Sequence, residues 1–227
     1  VRPAHLPTML YGWGAMVGIG TLLCLQSRLA KAPIILPRTL SLIALAWNVA
    51  VAVGSVGILL GHGTSVEWLE FPYRLSFVLA VMFAIVGVVS MGVFFKRRER
   101  HVYVSQWYMF GAIVWFPFLY IIGNLMIHGG MARGVAQGAA NWWFAHNILG
   151  LWLTPIGLAA AYYLIPKVIG RPIHSYYLSI VGFWALALFY NWAGSHHLIG
   201  GPLPAWVITI GVVGSVMMFI PVVAVAI

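Results

Sequence analysis

The chain has 227 residues, of which 63% are apolar and 7% charged, with a mean hydropathy of +0.98. A water-soluble globule normally carries about a quarter of its residues as charges, so this composition excludes one and points to a bilayer. The formal charge of +9 would suit a nucleic-acid partner, but the cations are grouped between long apolar runs, which excludes that reading.

Breaking the apolar runs at charge, Pro and Gly clusters predicts seven segments, near residues 6–26, 39–60, 73–95, 104–127, 142–165, 175–194 and 204–227. Each is about 20 residues long, the length a helix needs to cross hydrocarbon. Their continuous hydrophobicity, without a sustained apolar and polar alternation, favours helices over a transmembrane barrel. The expected fold is an all-α, polytopic transmembrane bundle forming a single membrane domain over residues 1–227, with no soluble domain and no internal repeat.

The first span opens at His5 and contains the chain's one cysteine, Cys24. A lone thiol excludes an internal disulfide or thiolate cluster, so a metal here must use imidazole or oxygen. No charged segment followed by a cleavage site precedes the span, and no signal peptide is expected. Loops after the first, third and fifth spans hold Arg28, Lys31 and Arg38, then Lys96, Arg97, Arg98 and Arg100, then Lys167 and Arg171. The amino terminus and the alternate loops hold only Arg2, Arg74 and Arg133. This nine-to-three bias is the positive-inside pattern. It predicts an outer amino terminus and makes anionic lipid the neighbour of the basic loops.

Glu67 and Glu70 lie in the outer loop before the third span. Three-residue spacing places two carboxylates on one face of a helical turn, where they would bind a hard cation or hold a proton; the alternative is a solvated loop. The third acid, Glu99, sits among Lys96 to Arg100 and tempers their charge.

His146 falls about one turn into the fifth span from the outer side, and His196 and His197 end the sixth span there. Ionisable groups in a membrane mark a pathway, a relay or a metal, and three imidazoles suit copper. Successive helical residues diverge by about 100 degrees, so both members of the pair face one ion only if the helix loosens, which Gly194 and Ser195 allow. His62, His101, His128 and His174 read as interfacial anchors or hydrogen-bonded core residues. Trp68, Trp142, Trp143, Trp192 and Trp206 fall near outer boundaries and read as an aromatic belt.

Tyr176 and Ser179 are neighbours on one helical face, and Tyr190, fourteen residues beyond Tyr176, returns to the same phase. At about 1.5 Å per residue this stripe rises roughly 21 Å toward the histidine layer, and Tyr162 on the preceding helix could join it. Such a stripe suits a proton route, or hydrogen bonds between helices.

The segments Trp142 to Asn147, Tyr162 to Lys167 with Arg171 and Pro172, Tyr190 to Leu198, and Leu203 to Trp206 resemble the catalytic subunit of cbb3-type cytochrome c oxidases, the C-family heme-copper oxidases. The resemblance runs from Arg2, Pro3, Ala4 and His5 through the whole chain. It implies part of the twelve-helix oxidase fold, in a bacterial inner membrane, with the amino terminus and the metal layer toward the periplasm. It implies copper B on His146, His196 and His197, facing a high-spin heme b3. Tyr190 matches the tyrosine that the family cross-links to the position of His146, and His5 matches an axial ligand of the low-spin heme b. Tyr162, Tyr176, Ser179 and Tyr190 match the family's proton channel, with Gly182 where a channel histidine often stands. A pair matching Glu67 and Glu70 lies near the heme propionates, one member helping to bind calcium. The implied partners are membrane-anchored c-type cytochrome subunits, with cytochrome c as electron donor.

The family's proximal histidine for heme b3 and its second ligand for heme b lie on a later helix that this chain does not reach, and its first helix is missing. Ile227 ends the chain inside an apolar run, so a fragment, a partial subunit or half of a split one is expected. The expected activity is reduction of dioxygen to water with proton uptake and translocation. Nitric oxide reduction on the related scaffold would call for non-heme iron and intramembrane glutamate, and none of the three acids lies within a span. A non-redox transporter or assembly factor is the third reading; broken helices at the midplane would mark a transporter, whereas these histidines gather on one side.

Overall fold

The computed structural model describes residues 1–227, and the chain is helical without strands. Seven helices are long and apolar enough to cross a membrane: α1 Arg2–Ala30, α2 Pro37–Leu59, α3 Tyr73–Phe95, α4 Val104–Ile127, α5 Val135–Ile169, α6 Tyr176–Leu198 and α7 Ala205–Ala226. They fall into two compact units, Val1–His101 and Val102–Ile227.

The largest departure from the expected boundaries is α5, which starts at Val135, seven residues before the predicted limit. The stretch from Val135 to Asn141 is low in hydropathy but rich in alanine, a strong helix former, and Gly134 turns into it with φ 58. His146 therefore lies three turns into the helix, not one.

Besides the 3₁₀ end of α6, three helices depart from regular α geometry. In α1 a π turn covers Thr8–Gly14, next to Pro7, and the Thr8 hydroxyl donates to the Ala4 carbonyl at 2.6 Å. In α5 a π turn covers Leu149–Leu153, next to Pro155, and Thr154 Oγ1 donates to the Leu149 carbonyl at 3.0 Å. Proline removes a backbone donor and a threonine hydroxyl competes for a carbonyl, which together loosen the i→i−4 ladder. α7 breaks at Met218, between Ala205–Met217 and Phe219–Ala226, because Pro221 has no N–H for the Met217 carbonyl.

In the first unit the loosened turn of α1 is pinned from its neighbours. Trp47 of α2 is buried and donates its indole N–H to the Tyr11 carbonyl at 2.6 Å. The Tyr11 hydroxyl donates to the Trp68 carbonyl at 2.6 Å, and its ring meets Phe71 at 5.8 Å. In the second unit an aromatic column joins α4 to α5. Phe116 packs on Trp152 with ring centroids 4.3 Å apart and on Tyr120 at 5.2 Å, and Tyr120 reaches Phe144 at 5.9 Å. Each such pair adds about 0.5–1.5 kcal/mol beyond area burial, and the column fixes the register of the helix that carries His146.

Candidate metal centre

The sixth helix departs from α geometry at its end, tightening where a loosened turn was expected. Regular α-helix stops at Ala193, and Gly194–Leu198 is a 3₁₀ turn. His196 and His197 sit in this turn, which packs against α5 and α7. One ring nitrogen from each of His146, His196 and His197 lies within 4.8 Å of the other two. Metal-bound imidazole nitrogens about 2.05 Å from an ion stand roughly 3.4 Å apart, so contraction by at most about 1.4 Å would close the site.

Close approach of the two helices depends on glycine at two positions. A Cβ on Gly194 would stand 2.6 Å from the Trp142 carbonyl oxygen and 3.1 Å from His146 Cβ. A Cβ on Gly150, inside the π turn of α5, would overlap the Tyr190 ring. With hydrogen there instead, Tyr190 lies on the His146 imidazole, centroids 4.1 Å apart and planes at 27°. Asn147 Nδ2 donates to the Asn191 carbonyl at 3.2 Å, tying α5 to α6 beside the histidine.

The donor set suits a metal. His146 is buried, and its Nδ1 has no hydrogen-bond partner. His196 Nδ1 is hydrogen-bonded to Ser215 Oγ, whose single proton goes to the Gly211 carbonyl at 2.8 Å. The serine oxygen must therefore accept, so His196 carries its proton on Nδ1 and offers the Nε2 lone pair. This is how proteins fix the tautomer of a metal-ligating histidine. Ser195 Oγ donates to the Val207 carbonyl at 2.7 Å and anchors the 3₁₀ turn to α7. His197 is stacked on Trp142, centroids 4.1 Å apart at 19°. Trp142 thus restrains the His197 ring in addition to any place in an aromatic belt. Ser215 and Gly150 were not singled out by sequence reasoning, and Trp142 was read as part of an aromatic belt and of the Trp142 to Asn147 segment; its spacing from His146, one turn of helix, was the usable signal.

The other candidate residues fall in three places. Tyr162 and Ser179 both line a cavity of about 520 Å³ at the far end of α6, with Arg171 and His174 near them. Tyr176 accepts from Trp107 Nε1 and donates to the Val102 carbonyl, both at 2.9 Å. Between Ser179 and Tyr190 the buried side chains of α6 are apolar: Phe183, Ala185 and Leu186, with Gly182 bare.

Glu67, Glu70 and His5 belong to the first unit. The two glutamates do not share a helical turn, because Trp68 between them takes a left-handed φ of 67. Glu67 is ion-paired to Arg2 at 2.6 Å. Glu70 is buried with Oε2 unpartnered, and burial raises its carboxyl above the usual carboxylate range. His5 is exposed in the first turn of α1. Lys31 pairs with Glu99 at 2.7 Å, which holds that half-buried carboxyl below its usual range.

A family model described as Cytochrome C and Quinol oxidase polypeptide I matches residues 1–227. The chain is 32% identical to cytochrome c oxidase subunit 1 of Rhodobacter capsulatus, over 97% of its own length and 43% of the relative's. It is 29% identical to the cbb3-type cytochrome c oxidase subunit CcoN1 of Stutzerimonas stutzeri, over 97% and 48% respectively. A cytochrome c oxidase subunit 1 homolog of Azorhizobium caulinodans is 32% identical over 97% and 42%. The chain thus spans less than half the length of these relatives. Seven apolar helices, a three-imidazole cluster and a match along the entire chain place it together: it belongs to the cytochrome c and quinol oxidase polypeptide I family, a multi-pass membrane family of heme-copper oxidases.

Proposed function

We propose that this chain forms the copper-holding part of a cbb3-type, C-family terminal oxidase, which reduces dioxygen to water with electrons from cytochrome c and couples this to proton uptake and translocation. The observation that carries the reading is the approach of three imidazoles within 4.8 Å, with a tyrosine ring lying on one of them. The relative whose name includes cbb3 supports the finer family. His146, His196 and His197 would hold copper B. Copper bound there would supply a redox-active Lewis acid for oxygen chemistry shared with heme b3.

The chain's own groups then have distinct tasks. Ser215 keeps the His196 proton on Nδ1, so the lone pair faces the ion. Trp142 shields one face of His197. Tyr190, against His146, is placed to give up a proton and an electron from its hydroxyl. Tyr162, Tyr176, Ser179 and Tyr190 form the proton path, and the cavity at Tyr162 and Ser179 would be its mouth. His5 would be an axial ligand of low-spin heme b. Glu70, whose burial favours the protonated carboxyl, would donate a hydrogen bond to a heme propionate, and Glu67 would bind calcium by exchanging Arg2 for the ion.

The 227 residues would act as one membrane domain in a bacterial inner membrane, amino terminus and metal layer toward the periplasm. Its partners would be membrane-anchored c-type cytochrome subunits and anionic lipid. Replacement of Tyr190 by Phe in the intact complex tests the reading: turnover should stop while copper and heme content persist. Full oxygen reduction by that variant would reject the role of Tyr190.

A further inference from the structure

The geometry points to Tyr108 as a relay residue of the proton path, carrying protons from Tyr162 and Ser179 to the face of α6 at Gly182. This inference rests on the proton path proposed above. Tyr108 lies on α4 and is fully buried, yet its hydroxyl has no hydrogen-bond partner. Burying a hydroxyl unpaired costs free energy, and a packing role would be served as well by phenylalanine.

Its surroundings are those of the path. The Tyr108 ring is stacked on Tyr162, centroids 5.5 Å apart at 18°, and meets the edge of Phe183 at 5.2 Å. The Tyr162 hydroxyl neighbours those of Tyr108 and Ser179, although neither tyrosine hydroxyl makes a hydrogen bond of normal geometry. A Cβ on Gly182 would stand 3.6 Å from the Tyr108 hydroxyl oxygen. That oxygen therefore faces Gly182 at ordinary contact distance, three residues and about 4.5 Å along α6 from Ser179. Tyr162 and Ser179 line the open cavity whereas Tyr108 does not. Tyr108 is thus the next polar atom beyond the mouth, in a stretch where α6 itself offers only apolar side chains.

A tyrosine hydroxyl both donates and accepts. In the relay the Tyr108 oxygen accepts a proton that reaches it from cavity water through Tyr162, as its own O–H bond breaks toward a water on the Tyr190 side. One O–H bond forms and one breaks, no electron moves, and rotation of the hydroxyl resets it.

The test is Tyr108→Phe in the intact oxidase complex, with Ser179→Ala as reference. We expect Y108F to slow oxygen turnover at least about tenfold and raise its solvent isotope effect. Anaerobic heme reduction by the donor and the heme spectra should stay unchanged. Y108F/G182S, which returns a hydroxyl from the opposite wall, should recover part of the rate. If S179A is slow while Y108F keeps wild-type turnover and isotope effect, the Tyr108 assignment is overturned and the path stands. If both variants turn over at the wild-type rate, the path itself falls. Should Y108F disturb the heme spectra, 3,5-difluorotyrosine at position 108 keeps the shape and acidifies the hydroxyl. The pH profile of turnover must then shift, and an unshifted profile overturns the proposal.

Discussion

Replacing Ser215 with Ala removes one atom, and the structure says which property depends on it. Ser215 Oγ is the acceptor that holds the His196 proton on Nδ1 while its own proton is committed to the Gly211 carbonyl. Alanine favours helix more than serine does, so α7 itself should not suffer. His196 would lose both its tautomer preference and a restraint on ring rotation. Loss of a group that orients a ligand typically lowers metal affinity by about 10–100-fold, or roughly 1.4–2.8 kcal/mol. The assay is copper retained by purified S215A complex across a chelator titration, with heme quantified in parallel. Threonine at 215 keeps the hydroxyl and should retain the metal far better than alanine. A chelator midpoint for S215A equal to that of the parent would refute the tautomer argument, because His196 would then be oriented without Ser215.

The remaining expectations concern packing and charge around the same features. Gly150→Ala forces a methyl into the Tyr190 ring, so overpacking of about 1–3 kcal/mol should lower the unfolding temperature and cut turnover; an unchanged pair of values would contradict the contact. Trp142→Ala removes the ring stacked on His197, worth about 0.5–1.5 kcal/mol, and the same chelator titration should show roughly a 2–10-fold loss. Glu70→Gln should stabilise the protein increasingly as pH rises. Burial raises the folded carboxyl above its ordinary 4.5, so the stability gained by holding that proton is complete below the ordinary value. It is lost as pH climbs through the raised one. Thermal unfolding of both proteins between about pH 5 and pH 8 checks this, and a difference that does not change with pH would mean that the carboxylate is solvated.

Much of the framework was legible because bilayer physics writes itself into composition. Runs of about 20 apolar residues located all seven helices, and a departure from α geometry at Gly194 and Ser195 was expected, though as a loosening and not as the tighter 3₁₀ turn found there. The start of α5 was misjudged because hydropathy does not register an alanine-rich, weakly apolar first two turns. The π turn at Leu149–Leu153 was not read, since its cause is a Pro155 and Thr154 combination that many straight helices also contain. The glutamate pair was read either on one helical turn or in a solvated loop, because spacing alone cannot foresee a left-handed Trp68. Ser215 lies on α7, eighteen residues past His197, and nothing in local sequence marks it as the partner of a ligand. Trp142 resembled any interfacial tryptophan until its ring was found on His197.

The central claim is that His146, His196 and His197 hold copper. Metal analysis of the intact, purified complex beside its His196→Ala variant tests it most directly. The account predicts copper in the parent, iron only in proportion to heme, and copper alone lost from the variant. Non-heme iron in the parent that disappears with His196, or copper unaffected by the substitution, would contradict it.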